Sequence, residues 1–315
     1  MKLSIQVFSD THTECIPQEK FLKYKNDKNT DNLWKDFVTI NSDVIALVGD
    51  IGNPVLESYW SFIEYISKRC KIVLLVAGNH EYWGSDITTT ETLIRENIKK
   101  YDNVRFLQRN FTVIDNTVFL GCTLWSYIPP PFYKEIEGWA GEFRFIKDCL
   151  NGPTFNSWHF RDLEWLINSI KTFRKEGFQV VVLTHYTPSL ELNFDPFYGV
   201  TAKIFAFNSD LSVLYPHIKV WAYGHTHYDL SKTHNYKLEG HDTVFISNQR
   251  GYPDKVRKKY TKDFLLQLHE IKDTIYTDLN IEFNTYNEKY VENMQKKVDL
   301  WIKNQKKINW KPEKN

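Results

Sequence analysis

No run of apolar residues in this sequence approaches the roughly 20 that a membrane span requires, and the opening MKLSIQVFSDTHTE has no stretch long enough for a signal-peptide core. Both absences predict a cytoplasmic protein with no membrane partner. Cysteine is scarce and scattered: Cys15, Cys70, Cys122 and Cys149 form no CxxC pair, so neither a disulfide framework nor a cysteine zinc site is indicated. Neither sign of charge dominates. Forty lysines and arginines face 39 acidic residues, and nothing in that balance calls for nucleic acid or an anionic surface. Internal repeats and low-complexity tracts are missing as well. What is present is a chain of 315 residues, 42% hydrophobic, able to bury a full core as one large domain or one domain with an appendage.

Short β-branched runs alternate with helical patterns, which predicts a layered α/β fold. Residues 2–9, 43–49, 71–78, 117–122, 179–185, 218–224 and 243–247 read as strands, most of them continuously apolar, as strands covered on both faces should be. Residues 55–66 and 160–174 carry apolar side chains at i, i+3, i+4 spacing and read as helices that cover the sheet. Residues 123–158 break the rhythm with Pro129, Pro130 and Pro131 and several tryptophans, a composition expected of a surface insertion capping a site. From residue 253 to 315 basic clusters and the spacing of Tyr286, Tyr290, Met294, Val298 and Trp301 predict a C-terminal helical extension.

The chemistry gathers where the apolar runs stop. LSIQVFS leads to Asp10 and His12, DVIALV to Gly49 and Asp50, KIVLLVA to Gly78, Asn79, His80 and Glu81, QVVVLT to His185, and IKVWAY to Gly224, His225 and His227. In an α/β sheet the crevice outside the carboxyl ends of the strands is where loops converge and ligands bind. Taken singly, each piece has a bland reading as a turn or a hydrogen-bonded histidine. Together they offer carboxylate, imidazole and amide donors suited to divalent cations, and a pair of ions most readily accounts for seven such mixed ligands at one crevice. In extended chain His225 and His227 project to one side, so that each can reach a different ion of a close pair.

This set, in this order, resembles the calcineurin-like metallophosphoesterase superfamily. Its blocks DxH, GDxx, GNH(D/E), a lone His and GHxH are all matched over roughly residues 8–228. The resemblance implies an α/β/β/α sandwich of four layers with a dinuclear metal site at the strand ends, spanning residues 1–252; the strand pattern alone leaves the sheet single. It implies further that Asp10, His12 and His227 hold one cation, that Asn79, His185 and His225 hold the other, and that Asp50 bridges both. Attack on a phosphoester by a metal-bridging hydroxide follows from the same resemblance, with His80 contacting the phosphoryl group or protonating the leaving oxygen. Manganese is the expected metal, and iron, zinc, nickel and magnesium stay open.

The protein phosphatases of the superfamily extend the second and third blocks to GDxVDRG and GNHExR, and the arginines there clamp a phosphomonoester. Here the blocks read GDIGN and GNHEYW, which disfavours that activity. GCTLW (121–125) and NQRGY (248–252) resemble the compact stand-alone phosphohydrolases instead, and Arg250 is the candidate to meet the substrate phosphate. A small phosphodiester or nucleotide is the expected substrate. A DNA or RNA nuclease is the alternative enzyme, and a silent binding scaffold is a third reading that predicts eroded ligands, of which there are none. Tyr82, Trp83, Trp125 and Tyr127 read as packing groups before base-stacking ones, and Glu81 as either a partner for an imidazole N–H or a turn residue. Oligomeric state stays open.

Overall fold

Every residue of VIALV (44–48) and of VVVL (180–183) is buried, and a strand buried on both faces needs a layer on each side. The computed structural model, which describes residues 3–190, 202–228, 234–238, 241–275, 279 and 283–307, supplies those layers. In chain order the elements are β1 (Ser4–Phe8), α1 (Gln18–Asn26), α2 (Thr30–Lys35), β2 (Val44–Val48), α3 (Glu57–Ser67), β3 (Ile72–Val76), α4 (Ile87–Ile98), β4 (Val104–Phe106), β5 (Asn110–Ile114) and β6 (Thr117–Cys122). There follow α5 (Tyr133–Glu137), α6 (Glu142–Phe145), α7 (Gly152–Lys175), β7 (Gln179–Thr184), β8 (Val220–Tyr223), β9 (His234–Leu238), β10 (His241–Ser247), β11 (Leu266–Gln267) and α8 (Phe283–Lys307).

The strands form two sheets. The first has the order β11-β1-β2-β3-β4, with β1 to β4 parallel and β11 antiparallel on the edge. The second has the order β5-β6-β7-β8-β10-β9, with parallel central strands and antiparallel edges. Alternation divides each strand between two cores. Val7, Val48, Val76, Leu183, Ala222 and Ile246 belong to the layer between the sheets. Phe8, Leu47, Leu75, Val182, Trp221 and Phe245 belong to the outer layers, together with Phe62 and Ile63 of α3 and Leu163 and Ile167 of α7. Each fully buried aliphatic side chain contributes roughly 1.5–3 kcal/mol on removal from water. Between the sheets Gly121 leaves no room for a side chain, since a Cβ there would lie 2.3 Å from that of Leu107. This is the α/β/β/α sandwich expected from the resemblance.

Two segments depart from the sequence reading. The stretch 123–158 is packed rather than looped on the surface: Trp125, Ile128 and Ile136 are fully buried, and α5, α6 and the first turns of α7 lie within it. Asn151 caps α7 by accepting from the Thr154 N–H, with Pro153 in the first turn. Among the described residues of the C-terminal extension the long helix runs from Phe283, and ahead of it Phe264 to Thr274 run as a strap. β11 pairs with β1, the Leu268 N–H donates to the Leu3 carbonyl, and Thr274 bonds Gln179 of β7 and Arg174 of α7. In α8 Tyr290, Met294 and Val298 are buried, while the side chains of Tyr286 and Trp301 lie outside the described set. Among the described residues no helix is long and apolar enough to cross a membrane.

Candidate metal centre

The parallel strands end level with one another, and the loops beyond them are knitted together by main-chain bonds. The Asp10 N–H donates to the Gly49 carbonyl at 3.0 Å, the His12 N–H to the Asp50 carbonyl at 3.1 Å, and the Gly224 N–H to the His185 carbonyl at 3.0 Å. Asp10, His12, Asp50, His225 and His227 all have left-handed backbones, with φ between 46° and 71°. Each such non-glycine residue costs on the order of 1 kcal/mol. Among the described residues ten non-glycine positions are left-handed, and half of them are candidate ligands.

These turns bring the ligand atoms into contact. One atom from each of Asp10, His12 and His227 lies within 4.8 Å of the others, and the same holds for Asp50, His185 and His225, and for His12, Asp50 and His80. Asp50 stands between the groups: Oδ1 is 3.3 Å from His185 Nε2, while Oδ2 is 3.9 Å from both His12 Nε2 and His80 Nε2. Asn79 Oδ1 lies 3.0 Å from His185 Nε2. His185 donates Nδ1–H to the Val48 carbonyl at 3.0 Å, which leaves Nε2 unprotonated for a cation when the ring is neutral.

The donor set fits a divalent pair. His225 Nε2 is buried and has no hydrogen-bond partner, as an atom aimed at a cation would be. Burial and the neighbouring His185 hold that imidazole down to about 3, so it offers a lone pair at neutral pH. Burial alone would raise the Asp50 carboxyl, yet the charges of His185 and His80 hold it well below the usual range. Close approach is also built in, since a Cβ on Gly78 would lie 2.3 Å from Asp50 Oδ1 and one on Gly224 would lie 2.6 Å from Asp10 Oδ2. Gly224 serves by lacking a side chain, and its φ is not left-handed. His225 and His227, expected to project to one side of an extended chain, do not lie in one. β8 ends at Tyr223, and two left-handed residues aim the rings.

Around the ligands stand groups that the sequence left unassigned. Glu14 Oε1 accepts from His12 Nδ1 and from His80 Nδ1, each at 2.9 Å, so one carboxylate orients two imidazoles. Glu81 does not meet an imidazole; it accepts from the main-chain N–H groups of Gly78, Asp50 and Ile51. Trp83 stacks on His80 with centroids 3.6 Å apart, and Tyr252 stacks on His12 at 4.3 Å. Tyr82, Trp125 and Tyr127 are core residues. Within NQRGY it is Gln249, accepting from the His227 N–H, and Tyr252 that reach the cluster. Arg250 is sent elsewhere: its guanidinium lies 3.7 Å above the Phe37 ring, with Nε and Nη1 buried and unpaired.

Comparison with known proteins agrees with this geometry. The sequence matches the profile of the family described as calcineurin-like phosphoesterase over residues 3–229. It is 28% identical over 272 residues to "Uncharacterized protein L509" of Acanthamoeba polyphaga mimivirus, covering 79% of this chain and 91% of that protein. The solved structure of phosphopantetheinyl hydrolase (PptH) from Mycobacterium tuberculosis superposes with a TM-score of 0.62 at 16% identity, over 84% of this chain and 95% of that one, a likeness of fold. Because the matched span carries every candidate ligand from Asp10 to His227, the chain belongs to the calcineurin-like phosphoesterase family and is a dinuclear metal-dependent phosphoesterase.

Proposed function

We propose that this phosphoesterase acts on a small phosphodiester or nucleotide, using two divalent cations, manganese foremost, held by Asp10, His12 and His227 on one side and Asn79, His185 and His225 on the other, with Asp50 between them. The observation that carries this reading is the placement of Asp50, whose two oxygens face different imidazole groups. Bound there, the cations supply Lewis acidity and a lowered pKa for water.

The chain's own groups do the rest. His80 gives its Nδ1–H to Glu14 and so directs Nε2 towards Asp50. Burial disfavours its cation, but Asp50 and Glu14 outweigh burial and raise its pKa to about 9 in the cation-free cluster. With Nδ1–H given to Glu14, Nε2 is the atom that faces the cluster and, when protonated, can supply the leaving oxygen. Trp83 and Glu14 fix that ring from its face and its edge. The described partners of the ligand side chains are imidazole, carboxylate, amide and main-chain groups. A doubly charged monoester would rely on the cations and His80 alone, whereas a diester brings one charge fewer, which favours the diester.

The experiment is a hydrolysis panel with added manganese: p-nitrophenyl monoester and diester, cyclic nucleotides, and single-stranded DNA. The diester and a nucleotide should be the better substrates, and Asp50→Asn should abolish turnover and cation binding together. Hydrolysis that survives chelation, or none with any cation, refutes the proposal. Preference for DNA would transfer it to the nuclease reading.

A further inference from the structure

The segment between β6 and α7 reaches into the ligand cluster itself. Glu142, the first residue of α6, is 6% exposed, and its Oε1 accepts from Asn79 Nδ2 at 2.8 Å and from the Tyr186 hydroxyl at 3.0 Å. An amide has an oxygen on one branch and an NH2 on the other, and only the oxygen can ligate a cation. With its nitrogen held by Glu142, Asn79 must turn Oδ1 inwards, where it lies 3.0 Å from His185 Nε2. Tyr186, the other donor to this carboxylate, packs its ring 4.1 Å from that of His225. The carboxylate thus touches a set of side chains that includes one candidate ligand directly and borders a second.

We propose that Glu142 is a positioning residue: supplied by the insertion, it holds the Asn79 amide with its oxygen towards the cation that Asn79, His185 and His225 share. This rests on the two-cation reading above. Without an acceptor at 142 the amide is free to turn, and half of its orientations present a donor to the cation. Glutamine at 142 can offer an oxygen to the same two donors, with its own nitrogen in the place of Oε2. Alanine offers none, and leucine fills the space without an acceptor.

Manganese titrated by calorimetry into chelator-stripped full-length protein reads cation binding apart from turnover. Wild-type protein should take up two ions. In Glu142→Ala and Glu142→Leu one site should weaken by about 10–100-fold while the other changes little, and Glu142→Gln should stay near wild type. Asn79→Ala should weaken the same site, and Glu142→Ala combined with Asn79→Ala should be no worse than Asn79→Ala alone. Circular dichroism melts of the stripped variants establish which are folded, and Glu142→Leu carries the test should Glu142→Ala not be. Equal weakening of both sites, additive losses in the double variant, or Glu142→Gln as weak as Glu142→Ala would overturn the positioning role. Two ions bound by wild type and by Glu142→Ala with equal affinity would also sink it while leaving the proposed function intact. Failure of wild-type protein to bind any cation would instead bring down the proposed function.

Discussion

Replacing Glu81 by alanine should destabilise the cation-free protein by about 3–6 kcal/mol. The carboxylate is 1% exposed and accepts from the N–H groups of Gly78 at 2.7 Å, Asp50 at 3.0 Å and Ile51 at 2.9 Å, which ties the loop after β3 to the loop after β2. A buried N–H stripped of its acceptor costs about 1–3 kcal/mol, so three cost about 3–9. Relief from burying the carboxyl group, whose pKa burial and then Asp50 raise to about 8, offsets part of this and places the expectation in the lower half of that range. Glutamine separates the contributions. Oε2 serves Gly78 and Asp50 while Oε1 serves Ile51, so an amide can keep the first pair but sets its NH2 against the Ile51 N–H, a loss of about 1–3 kcal/mol. Urea unfolding of chelator-treated protein, followed by tryptophan fluorescence, should rank wild type above Glu81→Gln and Glu81→Gln above Glu81→Ala. A loss below about 1 kcal/mol for alanine, or equal losses for both variants, would refute the reasoning.

Glu14→Gln should lower kcat by about 10–100-fold, because an amide cannot accept from both His12 and His80 with the same strength; unchanged kcat on the best substrate would exclude the shared carboxylate. Arg250→Ala should leave KM unaltered and reduce stability, since the guanidinium covers Phe37; a raised KM with unchanged stability would return it to the substrate. Burial holds His159 down to about 4 from the ordinary 6.5. Below pH 6.5 the unfolded chain therefore takes up a proton that the native ring refuses, and stability should fall by up to about 3 kcal/mol until pH nears 4. His159→Gln should show a shallower pH slope in urea melts between pH 4 and 7, and identical slopes would contradict the shift.

The strands that carry ligands were legible because burial on both faces writes continuous apolar runs into β1, β2, β3, β7 and β8. β5, β11 and α4, absent from the sequence reading, lack that signal. β5 is an edge strand with exposed Asn110, Phe111 and Val113, β11 has only two residues, and α4 begins with three threonines after its first isoleucine. The ligands were legible for the same reason, standing directly after the runs. Their supports were not. Glu14 carried one usable signal, a carboxylate two residues past His12, whereas Glu142 comes from an insertion 63 residues beyond Asn79 and meets it only in the folded state. Arg250 was misplaced because the sequence shows that a strand precedes it but not which way its side chain leaves the sheet; Phe37 decides that.

The strap from Phe264 to Thr274 sets an order on synthesis. β1, from which Asp10 and His12 emerge, leaves the ribosome about 260 residues ahead of Leu266 and Gln267, and its outer edge stays open until they arrive. At about 5–20 residues per second that interval is on the order of 10–50 s. Throughout it, an apolar strand with a free edge waits beside unfinished ligands, exposed to mispairing with other chains. Completion of the sheet behind the first two ligands thus waits on residues translated after every candidate ligand, and a nascent chain halted near residue 250 would carry all of those ligands without the segment that closes that edge.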